Sequence, residues 1–154
     1  MISETLEARI RKVQSSLGEV QLVAVSKTVE PERIAQAFKA GLKVFGENRV
    51  QELLEKKKDP VLSGLPIEWH LIGTLQTNKV KQVVGEVSLI HSLDRAELAE
   101  EIERQAEKKN LLVDCLIQVN ASGEESKQGF EINQVPGFVA SFKFKRIKIR
   151  GLMT

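Results

Sequence analysis

The 154-residue chain contains no tyrosine and a single cysteine, Cys115. Without tyrosine, no phenol is available as an acid, a base or a hydrogen-bond donor. One cysteine excludes an intramolecular disulfide and fits a reducing, cytoplasmic compartment. Within its apolar run Cys115 reads as a small core residue. No hydrophobic run approaches membrane-spanning length, and the N-terminus lacks the apolar region of a signal peptide, so no membrane partner is expected. Two histidines and one cysteine, without ligand spacing, argue against a metal site. Excess charge is also missing. With 23 basic and 21 acidic residues the net charge is +2, which gives no support to nucleic-acid binding. No Gly-x-Gly-x-x-Gly follows the first predicted strand, which weakens a dinucleotide-binding reading.

What is present is ordinary globular material, 42% hydrophobic and 29% charged, enough for one domain over residues 1–154 with a substantial core. Leu6, Ile10, Val13 and Leu17 form one apolar stripe, which predicts a helix over 3–17 with Ser3 as N-cap and Gly18 as stop. Apolar runs predict strands near 21–27, 42–46, 68–72, 87–91, 111–119 and 147–153. Between them lie helical patterns. One opens at Pro31 and stops at Gly41, and a Glu/Lys-rich one covers about 48–58. A short one is capped near Thr77-Asn78, one begins with the capping-box-like pair Asp94 and Glu97, and one lies around 133–141.

Alternating strands and helices imply a parallel sheet covered by helices, with strand order 1 to 6. Two architectures compete: a doubly wound open sheet and a (β/α)8 barrel. A complete barrel needs eight strands and about 250 residues. Six βα units in 154 residues read as an incomplete barrel, about its N-terminal three quarters. Polar residues recur just after the apolar runs: Lys27, Asn48, Gln76, Asn78 and Asn120. In a barrel they share one rim, the end where the chemistry of such folds sits. The basic cluster Lys143, Lys145, Arg146, Lys148 and Arg150 reads as a solvated face, with an anionic-ligand role as the other reading.

The organising stretch is Leu22-Val23-Ala24-Val25-Ser26-Lys27-Thr28, an apolar strand that ends on a lysine. A lysine amine in its unprotonated form is a nucleophile that condenses with aldehydes. A solvated lysine just past a strand end is the plain alternative. His70, between Trp69 and Leu71, reads first as a satisfied core or rim histidine and second as a catalytic base. For Asn48 and Asn120 the alternative to a binding role is turn formation at a strand exit. Met153 would end the last strand at the barrel mouth, packing there or touching a bound ring.

Taken in order, several stretches carry a resemblance. They are Leu22 to Thr28, then Phe45-Gly46-Glu47-Asn48-Arg49-Val50-Gln51-Glu52, and Trp69 to Lys79. His91-Ser92-Leu93-Asp94, Ile117-Gln118-Val119-Asn120 with Lys127 and Gly129, and Arg150-Gly151-Leu152-Met153 complete the set. In this order and spacing the chain resembles the pyridoxal 5′-phosphate homeostasis proteins, the YggS/PROSC family. Arg49 stands where many members have tyrosine, and Leu71 where phenylalanine is common.

The resemblance implies a TIM-type barrel like the N-terminal domain of alanine racemase (PLP fold type III). It implies pyridoxal 5′-phosphate (PLP) as cofactor, held as a Schiff base on Lys27 without turnover, and a role in intracellular PLP homeostasis. Cofactor-binding candidates are then Lys27, Asn48, His70, Asn120 and Met153, with no catalytic residue and no metal. PLP-dependent apo-enzymes are the implied recipients. The family grips the phosphate after its last two barrel strands, and nothing here aligns to that region. The expectation is therefore a fragment or a shortened member that binds PLP poorly, with exposed barrel edges inviting self-association. Two alternatives stay open. One is a PLP-dependent racemase-like enzyme, although relatives of that kind place a tyrosine opposite the lysine. The other is a ligand-free fragment.

Overall fold

The computed structural model describes residues 4–125 and 127–154. Helix α1 (Leu6–Leu17) buries Ile10 and is capped by Thr5, whose hydroxyl accepts from the Ala8 N–H at 3.2 Å. The predicted cap, Ser3, lies outside the described residues. Strand β1 (Ala24–Val25) leads to α2 (Pro31–Lys39), where Pro31 takes the first-turn position that needs no N–H. Next come β2 (Val44–Glu47), α3 (Val50–Lys58), β3 (Glu68–Leu71), the short α4 (Val80–Val83) and β4 (Leu89–Leu93). The chain continues through α5 (Ala96–Lys109), β5 (Val113–Asn120), β6 (Phe130–Glu131), α6 (Val135–Ala140) and β7 (Ile147–Met153).

Every strand pair is parallel. The main sheet runs β1-β2-β3-β4-β5-β7, and β6 pairs separately with the end of β5. This is the expected order, with one addition. The two-residue β6 sits in what reads as a loop, because Val119 and Asn120 pair with Phe130 and Glu131. Phe130, Phe138, Phe142 and Phe144 then stack in sequence at centroid distances of 4.5, 5.7 and 4.9 Å, tying β6 and α6 to the start of β7.

Strand alternation separates two faces. Phe45, Trp69, Leu71, Ile90, Leu93, Cys115 and Ile117 point to one side and form a single core with Ile34, Phe38, Leu53, Val83, Leu98 and Ile102 of the helices. The helices therefore cover one face, as in a barrel wall and unlike a doubly wound sheet. The other face carries Val25, His70, His91, Leu116 and Gln118 and is concave and open. β1 and β7 are not paired with each other, so the barrel is not closed among the described residues. Cys115 lies fully inside the core, where burial, and secondarily the Asp114 charge, push its thiol up to about 12. It is a packing residue.

Several local expectations differ, and β4 and β5 begin at Leu89 and Val113 rather than at 87 and 111. β1 is shorter than 21–27, because a turn takes over after Val25. α3 starts at Val50, two residues later than expected. At the head of α5 the cap position is Arg95, and no side chain caps it. Asp94 instead accepts from the Arg95 guanidinium at 2.6 Å, so the capping-box spacing with Glu97 is not used.

Candidate functional site

The turn that replaces the end of β1 builds the site. The Ser26 N–H donates to the Gly46 carbonyl at 3.0 Å, carrying the ladder one residue past the strand. The Ser26 carbonyl then accepts from the Val29 N–H at 3.0 Å, closing a four-residue turn with Lys27 and Thr28 at its centre. Thr28 has φ of 61°, a left-handed conformation that β-branched residues rarely adopt and that such turns normally give to glycine or asparagine. Lys27, one residue earlier, is exposed.

Both residues beside Lys27 are tied to one buried group. The Lys56 ammonium donates to the Ser26 carbonyl at 2.6 Å, to Glu47 Oε1 at 2.7 Å and to Glu52 Oε1 at 2.7 Å. Glu47 Oε1 also accepts the Ser26 hydroxyl at 2.6 Å, and Glu52 Oε1 accepts the Thr28 N–H at 2.6 Å. Glu47 is fully buried and Lys56 nearly so. The Lys56 hydrogen bond, then the Thr28 N–H and nearby positive charge, hold the Glu52 carboxyl below the usual range against the opposing effect of burial.

Because the strands run parallel, the residues that follow them gather at one end of the sheet. Lys27, Asn48, Gln76, Asn78 and Asn120 all fall there, as expected. Asn48 follows β2 beside the Lys27 turn. Its main chain also approaches Gly73, after β3, closely: a Cβ there would lie 2.2 Å from the Asn48 carbonyl oxygen and 2.7 Å from its Cα. Gly73→Ala must therefore displace main chain at the rim. It is expected to lower stability by about 2–4 kcal/mol in urea titration. A change below about 0.5 kcal/mol would show that this approach is not tight.

Asn120 is spent on its own loop. Its amide nitrogen donates to the Glu124 and Lys127 carbonyls at 2.8 and 3.2 Å, and its oxygen accepts from the Ser122 hydroxyl and the Gly123 N–H at 3.2 and 3.1 Å. Met153 lies in register with Gln118 on β7 and is half-buried.

His70 is buried on the inner side of β3, with both ring nitrogens engaged. Nδ1 lies 2.9 Å from His91 Nε2, and Nε2 lies 3.1 Å from Glu68 Oε1. The Glu68 carboxylate only accepts, so His70 Nε2–H donates to it, while one hydrogen of either ring lies between His70 Nδ1 and His91 Nε2. Burial, and secondarily His70, lower His91 to about 4.

Sequence reasoning missed Glu47, Glu52, Lys56 and His91. A signal existed for the first three. Glu47 shares the alternation of Phe45, a core position. Lys56 continues the spacing of Val50 and Leu53, the buried face of α3. Glu52 and Lys56 are four apart. In the basic cluster Arg150 pairs with Asp114 at 2.7 Å, and the backbone N–H groups of Lys145 and Arg146 donate to Glu103.

Comparison with known proteins agrees with this architecture. Residues 3–154 match the family model described as alanine racemase, N-terminal domain. The pyridoxal phosphate homeostasis protein of Aquifex aeolicus is 48% identical, over 99% of this chain and 68% of its own length. That of Pasteurella multocida is 35% identical, over 99% of this chain and 66% of its own length. The chain belongs to the pyridoxal phosphate homeostasis family. PipY of Synechococcus elongatus superimposes with a TM-score of 0.90 in its structure without PLP and 0.88 in its structure with PLP bound, at 33% and 34% identity. Each match covers 97% of this chain, and 70% and 69% of PipY respectively. An alanine racemase of Clostridium difficile, 14% identical with a TM-score of 0.75, shares the fold. The chain thus spans about two thirds of the length of its family relatives. No helix among the described residues is long and apolar enough to cross a membrane.

Proposed function

We propose that this chain holds PLP covalently on Lys27, as a Schiff base, and serves intracellular PLP homeostasis without turning over a substrate. The observation that carries the reading is the turn at Ser26–Val29. It presents an exposed lysine at the rim of an open concave face, where barrels of this type keep their chemistry. Family membership and the PLP-bound relative support it.

Lys27 fits the aldehyde end of such a group, since its amine is exposed at the rim. Gly46 lies on the concave side next to the turn, and a Cβ there would come within 3.1 Å of the Ile72 methyls and 3.2 Å of Val23 Cγ1. Ile72 and Val23 fill the space that a side chain there would take, so glycine at this position keeps β2 packed beside the Lys27 turn. PLP supplies an electrophilic aldehyde. Lys27 would supply the amine that condenses with it, with loss of water. Asn48 borders the same rim, and Met153 stands across it on β7. His70 and His91 lie on the inner face, each spending a nitrogen on the other, and His70 spends its second on Glu68. With no tyrosine in the chain, this supports binding over two-base proton transfer.

The test is an absorbance titration with PLP, followed by borohydride reduction and peptide mapping. The expected result is a visible band and one pyridoxyl group, on Lys27. Pyridoxyl spread over several lysines, with no visible band, would overturn the reading. Added L-alanine in deuterium oxide is expected to show no α-exchange above free PLP, and exchange at an enzymic rate would favour the racemase-like alternative.

A further inference from the structure

We propose that Lys56, together with Glu47 and Glu52, is the positioning device for Lys27: it holds the Ser26–Val29 turn in a conformation that the local sequence does not favour. The inference rests on the cofactor reading above and concerns how the site is held ready.

All three protons of the Lys56 ammonium are used, on the Ser26 carbonyl, Glu47 and Glu52. Two of these partners reach on to the turn, Glu47 to the Ser26 hydroxyl and Glu52 to the Thr28 N–H. The residues before and after Lys27 are therefore fixed to one centre, while Lys27 itself stays exposed. This arrangement is not explained by packing alone. Glu47 Oε2 is buried with no hydrogen-bond partner among the described residues, an unfavourable placement for a carboxylate whose only gain is at its other oxygen. An apolar pair would fill the same space without that loss.

Thr28 supplies the second, independent observation. Its φ of 61° is strained for a β-branched residue, and strain of this kind persists only where surrounding contacts over-determine it. The contacts that do so here are the Glu52 bond to its N–H, the hydrogen bond from its own hydroxyl to the Lys27 carbonyl at 2.6 Å, and the Val29–Ser26 turn closure. Strand β1, the clamp and the strained residue converge on a single outcome, the location of the Lys27 backbone. Released from the clamp, the turn is free to return Thr28 to negative φ and carry Lys27 with it.

The test compares Lys56→Met with the unmutated 154-residue chain. Removing the ammonium leaves Glu47 buried without its cation, so Glu47→Gln/Lys56→Met serves as the variant that keeps the interior neutral. Two readouts are used. Amide hydrogen exchange at Thr28 and Val29 reports the turn without any cofactor, and is expected to accelerate in both variants while exchange in β4 and β5 stays slow. The PLP titration reports the consequence. It is expected to show at least about ten-fold weaker formation of the visible band and a changed circular dichroism of that band, because small displacements of a reacting group have effects of this size. Adding Thr28→Gly, which removes the strain, is expected to recover part of the loss, which a merely destabilised fold would not show. If the unmutated chain forms the band and the variants match it in affinity and dichroism, the positioning role is overturned and the cofactor reading stands. If the unmutated chain forms no band, the cofactor reading fails and the proposal falls with it.

Discussion

Lys27→Ala is expected to abolish the visible band at every PLP concentration that saturates the unmutated chain, while leaving the fold as stable as before. The first half follows from chemistry, since no other group in the turn has an amine to condense with an aldehyde. The second half follows from placement. Lys27 is exposed, and the contacts that order its turn are made by Ser26, Thr28 and Val29 and by Glu47, Glu52 and Lys56. Exposed substitutions away from such contacts usually change stability by less than about 0.5 kcal/mol. The contrast with Lys56 is informative. Both are lysines within 30 residues of each other, but Lys56 is nearly buried and ion-paired. Breaking a buried pair by removing one partner typically costs about 3–5 kcal/mol. Guanidinium titrations of Lys27→Ala and Lys56→Met separate the two roles. A large stability loss in Lys27→Ala, or a persisting band, would mean that the reactive and structural lysines have been interchanged.

The sheet order and the rim were legible because they rest on signals that survive without tertiary context. Buried parallel strands read as continuous apolar runs, and their connections leave helical periodicity between them. Parallel topology then places every strand exit at one end, so Lys27 and Asn48 become neighbours by argument alone. The details that were not legible depend on residues distant in sequence. Nothing in Ser26-Lys27-Thr28-Val29 favours a turn with positive φ at Thr28. That conformation is enforced by Glu52 and Lys56, which sit on a helix rich in Glu and Lys that looks like a solvated face. The two-residue β6 has no periodicity of its own and exists because the end of β5 offers it a partner. His91 reads as one more residue at the end of an apolar run, and only the pairing of β3 with β4 brings it against His70. Tertiary contacts decided each of these cases over local preference.

The His70–His91 pair also sets an expectation for acid. His91 is lowered from 6.5 to about 4, first by burial and second by His70. A folded-state value below the unfolded one means that, between these limits, the unfolded chain binds a proton that the folded chain refuses. The associated stability is fully present above about pH 6.5 and is lost as the pH falls toward 4. A shift of this size corresponds to an upper bound of about 3 kcal/mol. His91 is only partly buried, and solvent screening reduces the figure to about 2 kcal/mol. The hydrogen-bond chain gives the structural reason. His91 Nε2 lies 2.9 Å from His70 Nδ1 on the inner wall of the sheet, so a proton added to His91 places a cation in a partly buried position beside His70. Glu52 acts in the same direction, since its lowered carboxyl contributes stability that disappears as the pH falls through its folded-state value. The two are separable, because His91 acts from about pH 6.5 downward and Glu52 only within the carboxylate range. Urea midpoints measured from pH 7.5 to 4.5 are expected to fall steadily for the unmutated chain. His91→Gln, which can still donate to His70 but does not titrate, is expected to flatten the decline between pH 6.5 and 5. An identical slope in that variant would show that His91 is not the group that senses acid.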